Sequence, residues 1–522
     1  MNTENQIPEQ SPMFPLTGRD NAFAISAVVV SVFTALFGIF GGFALGYLLS
    51  AALMLILFGV YFANGGKVRF FSVLCGLLAL ANTAVFICTT NGSVRFFGVQ
   101  IGFLLALTCF DGFANGKTTG NRQTAHLFIK AISTIGGIAM SVRSLFSGAN
   151  GGNKKLGKMM LGIACALPVL IVVLPLLIAS DDAFKGMMNQ IFDDAFATIF
   201  KTIFGLSMSF LVVSYGFCLK YGRTRKQKES TFAGVENTYI ISFLSVISLC
   251  YLLYLFSQLA YFFSAFKGFL PEEGITYAQY ARKGFGEMCV IAVINLALTF
   301  TAMLLARKRE GKVCLAIKLL ATFIGVFTLV IIATAISKMF LYINEYGMTV
   351  RRVTTSAFMV FLAVVFISVI LRIYIRWINI VKTALLTAGC VVLILGTVNV
   401  NRVCAQYNYE SYLSGKLKSV DVKAIYDLGD EGIPYITKLA THKDPAVAKE
   451  AKFYLRKAYR YDYFDNQISV DTLVVEDLQK NEKNSKFSWL SLPRATAYES
   501  LYEYLEEYPS FKVQFRNYTT RG

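Results

Sequence analysis

Eleven separate apolar runs, each long enough to cross a bilayer, fill nearly everything from Ala22 to Val400. A hydrocarbon core takes roughly 20 apolar residues per helical crossing. It also leaves every backbone polar group to be satisfied within the protein, which restricts these runs to helices. They are Ala22–Phe40, Phe43–Phe62, Phe70–Thr89, Phe96–Phe113, Met160–Ala179, Ile199–Leu219, Ile240–Phe263, Cys289–Ala306, Cys314–Ile336, Ser356–Leu371 and Thr383–Val400. The fold class expected is all-α: a polytopic transmembrane bundle over 21–400, a polar N-terminal tail over 1–20, and a small, mainly helical soluble domain over 401–522. Gly41-Gly42 makes a tight hairpin of the first two runs, and Asn91-Gly92 turns the third into the fourth. Within the basic, Gly-rich stretch 115–158, His126–Phe146 reads as a helix lying at the membrane interface.

Charge follows the same division. The chain carries a formal net charge of +18, which by itself would suit nucleic acid. Residues 1–400 hold 32 Lys+Arg against 15 Asp+Glu, whereas residues 401–522 hold 18 against 17. The excess therefore belongs to the membrane part, where it marks cytoplasmic loops and attraction to anionic lipid. With the N-terminus inside, the clusters Lys67/Arg69, Lys154/Lys155/Lys158, Lys220–Lys228, Arg307–Lys312 and Arg372/Arg376/Lys382 all fall on the inner side. Arg95, Lys185, Lys267, Arg282, Lys283, Lys338, Arg351 and Arg352 fall in outer loops. An odd number of crossings then places the C-terminal domain outside. No nucleic-acid partner is expected. Nine of the ten cysteines lie in or beside apolar runs and none has CxxC spacing, so neither a metal nor a disulfide framework is expected. No cofactor motif is present: Gly112 to Thr118 has three residues between its glycines where a phosphate-binding loop needs four, and it follows a membrane helix, not a strand.

Candidate site residues come from the outer segments. Asp181 and Asp182 follow Ser180, and the pattern recurs at Asp193-Asp194 beyond an amphipathic stretch, Phe184–Phe200, expected as a separate surface helix. A carboxylate pair can hold a cation or act as acid and base. Capping of the helix that follows is the stronger reading. Thr276 caps a segment carrying Tyr277, Tyr280 and Arg282 that leads to Glu287 at the mouth of the eighth run. After the ninth run, Tyr346 precedes Gly347, which ends one helix, and Thr349, which starts the next ahead of Arg351. Within the membrane, Asp111 is the ionisable residue that most calls for a role. Lys201 and Lys318 lie close enough to helix ends to snorkel. In the tail, Asp421, Pro434 and Asp444-Pro445 mark three helix starts, and Pro493–Glu507 reads as a last amphipathic helix.

Ser180 to Phe184, Thr276 to Glu287 and Leu341 to Arg351, together with Asn399-Val400-Asn401-Arg402 and Val420 to Pro434, resemble a bacterial polytopic membrane family catalogued as a domain of unknown function (the 4153/4173 group). Gln279 stands where that family carries Glu, leaving no carboxylate there for proton chemistry. The resemblance implies a membrane location and a fold without an activity. The expected function is a non-enzymatic envelope scaffold or sensor, with the lipid bilayer and an envelope protein as partners. Two alternatives remain: a transporter whose path is lined by Asp111, Arg282 and Glu287, and an enzyme using Asp181 and Asp182 on a lipid-linked substrate.

Overall fold

The computed structural model describes residues 16–39, 44–63, 70–115, scattered positions within 134–145, position 173, and 182–221, 235–267, 285–307, 313–375, 377–462 and 492–508. Every regular element among them is helical. The long helices are α1 (Gly18–Phe33, continued by a π-helical turn Thr34–Ile39), α2 (Ala44–Phe62), α3 (Phe70–Cys88), α4 (Gly92–Asn115), α5 (Asp182–Lys220), α6 (Asn237–Lys267), α7 (Phe285–Leu305), α8 (Leu315–Tyr346), α9 (Val350–Tyr374) and α10 (Ile380–Thr397). The tail supplies α11 (Val400–Leu413), α12 (Val422–Tyr426), α13 (Ile433–Ala440), α14 (Pro445–Asp462) and α15 (Leu492–Glu507). Ten helices among the described residues are long and apolar enough to span a membrane, and they match ten of the eleven expected runs. The run Met160–Ala179 lies outside the described residues. On α6 the large side chains Phe243, Val246, Leu249, Leu253 and Phe256 are exposed along one face. Water would not tolerate such a stripe, but lipid does. The protein is a multi-pass integral membrane protein.

The structure corrects several sequence expectations. The surface helix Phe184–Phe200 and the sixth run are one continuous element, the 39-residue α5. No proline interrupts residues 182–220, so nothing stops the i→i−4 ladder. At 1.5 Å per residue it extends about 58 Å, roughly twice the thickness of a hydrocarbon core. The first helix starts at Gly18, inside the expected polar tail, which places Asp20 in its first turn with no exposed surface. Lys338, counted with the outer loops, lies within α8 and is 6 % exposed. Within His126–Phe146, the described positions Thr134, Gly137, Met140, Ser141 and Ser144 are buried. The Ser214 hydroxyl of α5 donates to the Thr134 carbonyl at 2.6 Å. That face therefore packs on protein, not on the lipid surface.

The chain divides into two compact units, Met1–Phe86 with Val99–Lys228, and Ile87–Gly98 with Glu229–Gly522. In the first, Phe23 stacks on Tyr61 with centroids 3.9 Å apart and Phe58 on Phe110 at 4.1 Å. Gly205 lets α5 approach α1 closely: a Cβ there would stand 2.7 Å from Val32 Cα. In the second, Val235 N donates to the Leu305 carbonyl at 2.8 Å and Arg307 N to the Val235 carbonyl at 3.2 Å. The start of α6 thus lies beside the end of α7, and the two run antiparallel. The tail has its own core of Val422, Ile425, Ile436, Leu439, Ala451, Leu455, Ala497 and Leu501. Asp421 caps α12 by accepting from Ala424 N at 2.8 Å, and Pro434 sits in the first turn of α13, as its sequence position predicts.

Candidate functional site

Within the second unit, two membrane-helix turns grip the start of the tail. The first is Cys88–Arg95, between α3 and α4. A helix end leaves carbonyls and N–H groups without intrahelical partners, and here tail residues supply them. Asn399 Nδ2 donates to the Cys88 carbonyl at 2.8 Å. The Glu431 carboxylate, on the single 3₁₀ turn Gly429–Glu431, accepts from Thr90 N at 2.8 Å and from the Thr90 hydroxyl. Asn91 caps α4, its Oδ1 accepting from Val94 N at 3.0 Å, while its Nδ2 donates to Asn401 Oδ1 at 2.7 Å. Asn401 Nδ2 in turn donates to the Leu428 carbonyl at 3.0 Å. Glu431 is 3 % exposed and Asn401 6 %. A carboxylate at the N-terminus of α4 also meets the positive end of its dipole. Asn399 adopts φ 57°, a left-handed conformation that Asn tolerates, and its Oδ1 caps α11 by accepting from Arg402 N at 3.3 Å.

The second turn, Asn344–Arg352, joins α8 to α9. Gly347 ends α8 with φ 80° and ψ 175°, a conformation open essentially to glycine alone. A Cβ there would also lie 2.5 Å from Asn408 Oδ1. Asn408, on α11, clamps the next residue from both sides: Met348 N donates to its Oδ1 at 2.7 Å, and its Nδ2 donates to the Met348 carbonyl at 2.8 Å. Lys416 reaches Asn344 Oδ1 at 3.1 Å and the Tyr407 hydroxyl at 2.9 Å. Arg352 donates to the carbonyls of Tyr346 and Gly347 and lies over the Tyr342 ring, 3.9 Å from its centroid. Thr349 caps α9 as expected, accepting from Arg352 N.

Between these two turns α11 presents Cys404, with no exposed surface, and burial pushes its thiol up to about 12. Thiolate, not thiol, is the reactive form. Cys404 is expected to stay unlabelled by maleimide in the folded membrane protein at pH 7.5 and to label fully once denatured. Rapid labelling in the native state would show that α11 is not seated as described.

Only some of the residues expected to form sites are among the described residues. Asp181, Tyr277, Tyr280 and Arg282 lie outside the described residues. Asp182 is the first residue of α5, where the capping argument put a helix start. Glu287 is exposed in the first turn of α7. Tyr346 is the last residue of α8, in edge contact with Tyr342. Arg351 is exposed, and its neighbour Arg352 makes the contacts of the turn. Asp111, in the first unit, is 6 % exposed one helical turn beyond Leu107, whose carbonyl accepts from the Tyr215 hydroxyl at 3.4 Å. Among the described residues no group of three His, Cys, Asp or Glu side chains is placed to hold a metal ion.

Sequence reading passed over Asp20 and Glu431 altogether. Asp20 accepts from Tyr61 at 2.6 Å, Lys220 at 2.5 Å, Tyr221 at 2.7 Å, and the backbone N–H and hydroxyl of Thr17 at 2.7 and 2.6 Å. Its contact with Thr17 is the reach-back half of a capping box, readable as Thr17-x-x-Asp20. The partners 41 and about 200 residues away were not readable.

Among known families, the model described as Domain of unknown function (DUF4153) matches the chain over residues 48–439. No curated protein and no solved structure matches the chain.

Proposed function

For a chain that belongs to the DUF4153 family, we propose the role of a membrane scaffold that holds its C-terminal helical domain in a set attitude on one face of the bilayer for an envelope partner to dock on. The observation that carries this reading is the double grip on α11 and Glu431 by the turns Cys88–Arg95 and Asn344–Arg352. A domain tethered only for its own solubility needs a linker. This one is joined to α10 with only Val398 and Asn399 between helices, and its polar groups complete the ends of α3 and α4.

The same contacts support the topology. Thr90 and Glu431 meet, so the chain crosses the membrane an even number of times between Thr90 and the tail. Seven candidate spans among the described residues lie in that interval. The apolar run Met160–Ala179, outside the described residues, is the sequence's candidate for the eighth, which makes the total odd. The positive-inside bias then puts the tail and both gripping turns outside.

The experiment is in-cell photocrosslinking from exposed tail positions such as Lys449 and Phe453, followed by mass spectrometry. It is paired with single-cysteine labelling of Ser414 and Ser93 by an impermeant reagent in intact cells. One recurrent crosslinked envelope protein, with both cysteines labelled, supports the scaffold. Protection of both positions reverses the orientation. If the tail crosslinks only lipid and a solute raises the melting temperature, the transporter reading replaces this one.

A further inference from the structure

We propose that the C-terminal domain pairs with the same domain of a second copy of this chain, the basic stripe of α14 on one copy lying against the acidic stripe of α15 on the other. The tail as a whole is nearly neutral, with 18 Lys+Arg against 17 Asp+Glu over 401–522. Its charges are nonetheless sorted by helix. α14 holds five Lys and Arg against two acids, whereas α15 holds four Glu against one Arg.

Helical spacing gathers each set on one face. On α14, Lys449, Lys452 and Arg456 follow one another at three and four residues; on α15, Glu499, Glu503 and Glu506 do so at four and three. Lys449, Lys452 and the three glutamates are exposed. Ala451 and Leu455 of α14, and Ala497 and Leu501 of α15, are buried in the tail core. The stripes therefore lie on the outward faces. Each also carries a large apolar side chain: Phe453 beside Lys452 on α14, and Leu492 at the head of the acidic face of α15, both 61 % exposed. Beyond residue 400, Leu413 is the one other large apolar side chain exposed among the described residues. Apolar anchors amid charged neighbours are what interface centres are made of.

Like charges three and four residues apart destabilise a helix, so each stripe is a local cost. Among the described residues Lys449, Lys452, Glu499, Glu503 and Glu506 form no ion pair that offsets it. An acidic partner would satisfy α14 and leave α15 uncompensated; a basic partner would do the reverse. A second copy brings both charges at once. With 18 and 16 residues, α14 and α15 are about 27 and 24 Å long, so one stripe can lie along the other. Arg456 is within electrostatic reach of Tyr504 on α15. The two helices are thus neighbours, and a twofold rotation sets each stripe against its opposite on the second copy. The inference rests on the scaffold reading at one point: tails gripped at the membrane surface meet at a fixed height, which raises the effective concentration of one stripe for the other.

The test is a charge exchange between full-length chains that carry two different tags and are co-expressed in one membrane. One variant is Lys449→Glu with Lys452→Glu; the other is Glu499→Lys with Glu503→Lys. Wild type should co-purify with wild type, and less so at high salt. Each variant paired with itself should lose at least about tenfold of that signal, because both stripes then carry one sign. The two variants co-expressed should recover it, which also shows that each is folded. Self-pairing of either variant at the wild-type level, or no recovery on mixing, would overturn the inference. So would a wild-type chain that crosslinks from Phe453 only to a different protein. Protease resistance at Ser414–Lys416 in the same preparations separates this failure from a failure of the grip: a resistant tail that does not pair removes the pairing and leaves the scaffold reading standing.

Discussion

Lys220→Met is expected to cost the first unit about 3–5 kcal/mol, as the loss of one partner from a buried ion pair does. Asp20 has no exposed surface, whereas Lys220 keeps 31 % of its side chain accessible. Removing the lysine strands a carboxylate among three neutral hydroxyls and one N–H. Removing the charge of the aspartate leaves a lysine that can still turn to water. The effects should therefore be unequal: Asp20→Asn should cost about 1–2 kcal/mol less than Lys220→Met, the difference between an uncharged and a charged buried orphan. The Asp20→Asn, Lys220→Met double variant should recover part of the loss. Denaturant unfolding in detergent measures all three. Equal losses for the two single variants would mean that the pair acts as a surface ion pair and does not join α1 to α5.

Glu431→Ala is expected to have the second large effect, about 3–4 kcal/mol, placed in the joint and not in the tail core. Hydrogen bonds to a charged acceptor contribute about 1.5–3 kcal/mol each, and a buried donor left unmade adds its own desolvation cost. The substitution leaves Thr90 N and the Thr90 hydroxyl without their acceptor. The tail's own core does not include Glu431, so the tail should stay folded and lose its hold. Limited proteolysis reads this as faster cleavage at the exposed Ser414–Lys416 and Lys418–Ser419 positions, and Cys404 should become open to maleimide. Glu431→Gln keeps one acceptor oxygen and should retain part of the protection. Unchanged protease resistance in Glu431→Ala would remove the grip from any account of how the tail is held. It would also take away the main support for the scaffold role.

How much was legible in the sequence differs by element, for physical reasons. Gly347 and Thr349 ended and began helices where their chemistry says they must, because a positive φ and an N-cap are local needs. The same holds for Asp421 and Pro434. The continuous α5 was not legible, since an amphipathic stretch and an apolar one read as two environments even when a single ladder of hydrogen bonds runs through both. Lys338 was misplaced because an apolar run interrupted by a lysine looks finished, whereas α8 continues to Tyr346. One residue's shift turns a helical side chain by about 100°, so sequence does not say which of the adjacent Arg351 and Arg352 faces the Tyr342 ring.

The amino-acid sequence by itself determined the class of this protein: which segments enter the membrane, that they are helices, and where most of the tail helices start. These follow from apolar length, backbone hydrogen bonding and local capping, all set by residues within a few positions of one another. Only the tertiary structure decided which polar residues matter. Asp20 meets Lys220, Glu431 meets Thr90, and Asn295 joins Tyr251 to Thr328. Each is a pairing across tens to hundreds of residues, arising because a low-dielectric interior penalises an unpaired buried polar group and the packing of helices selects which partner it meets.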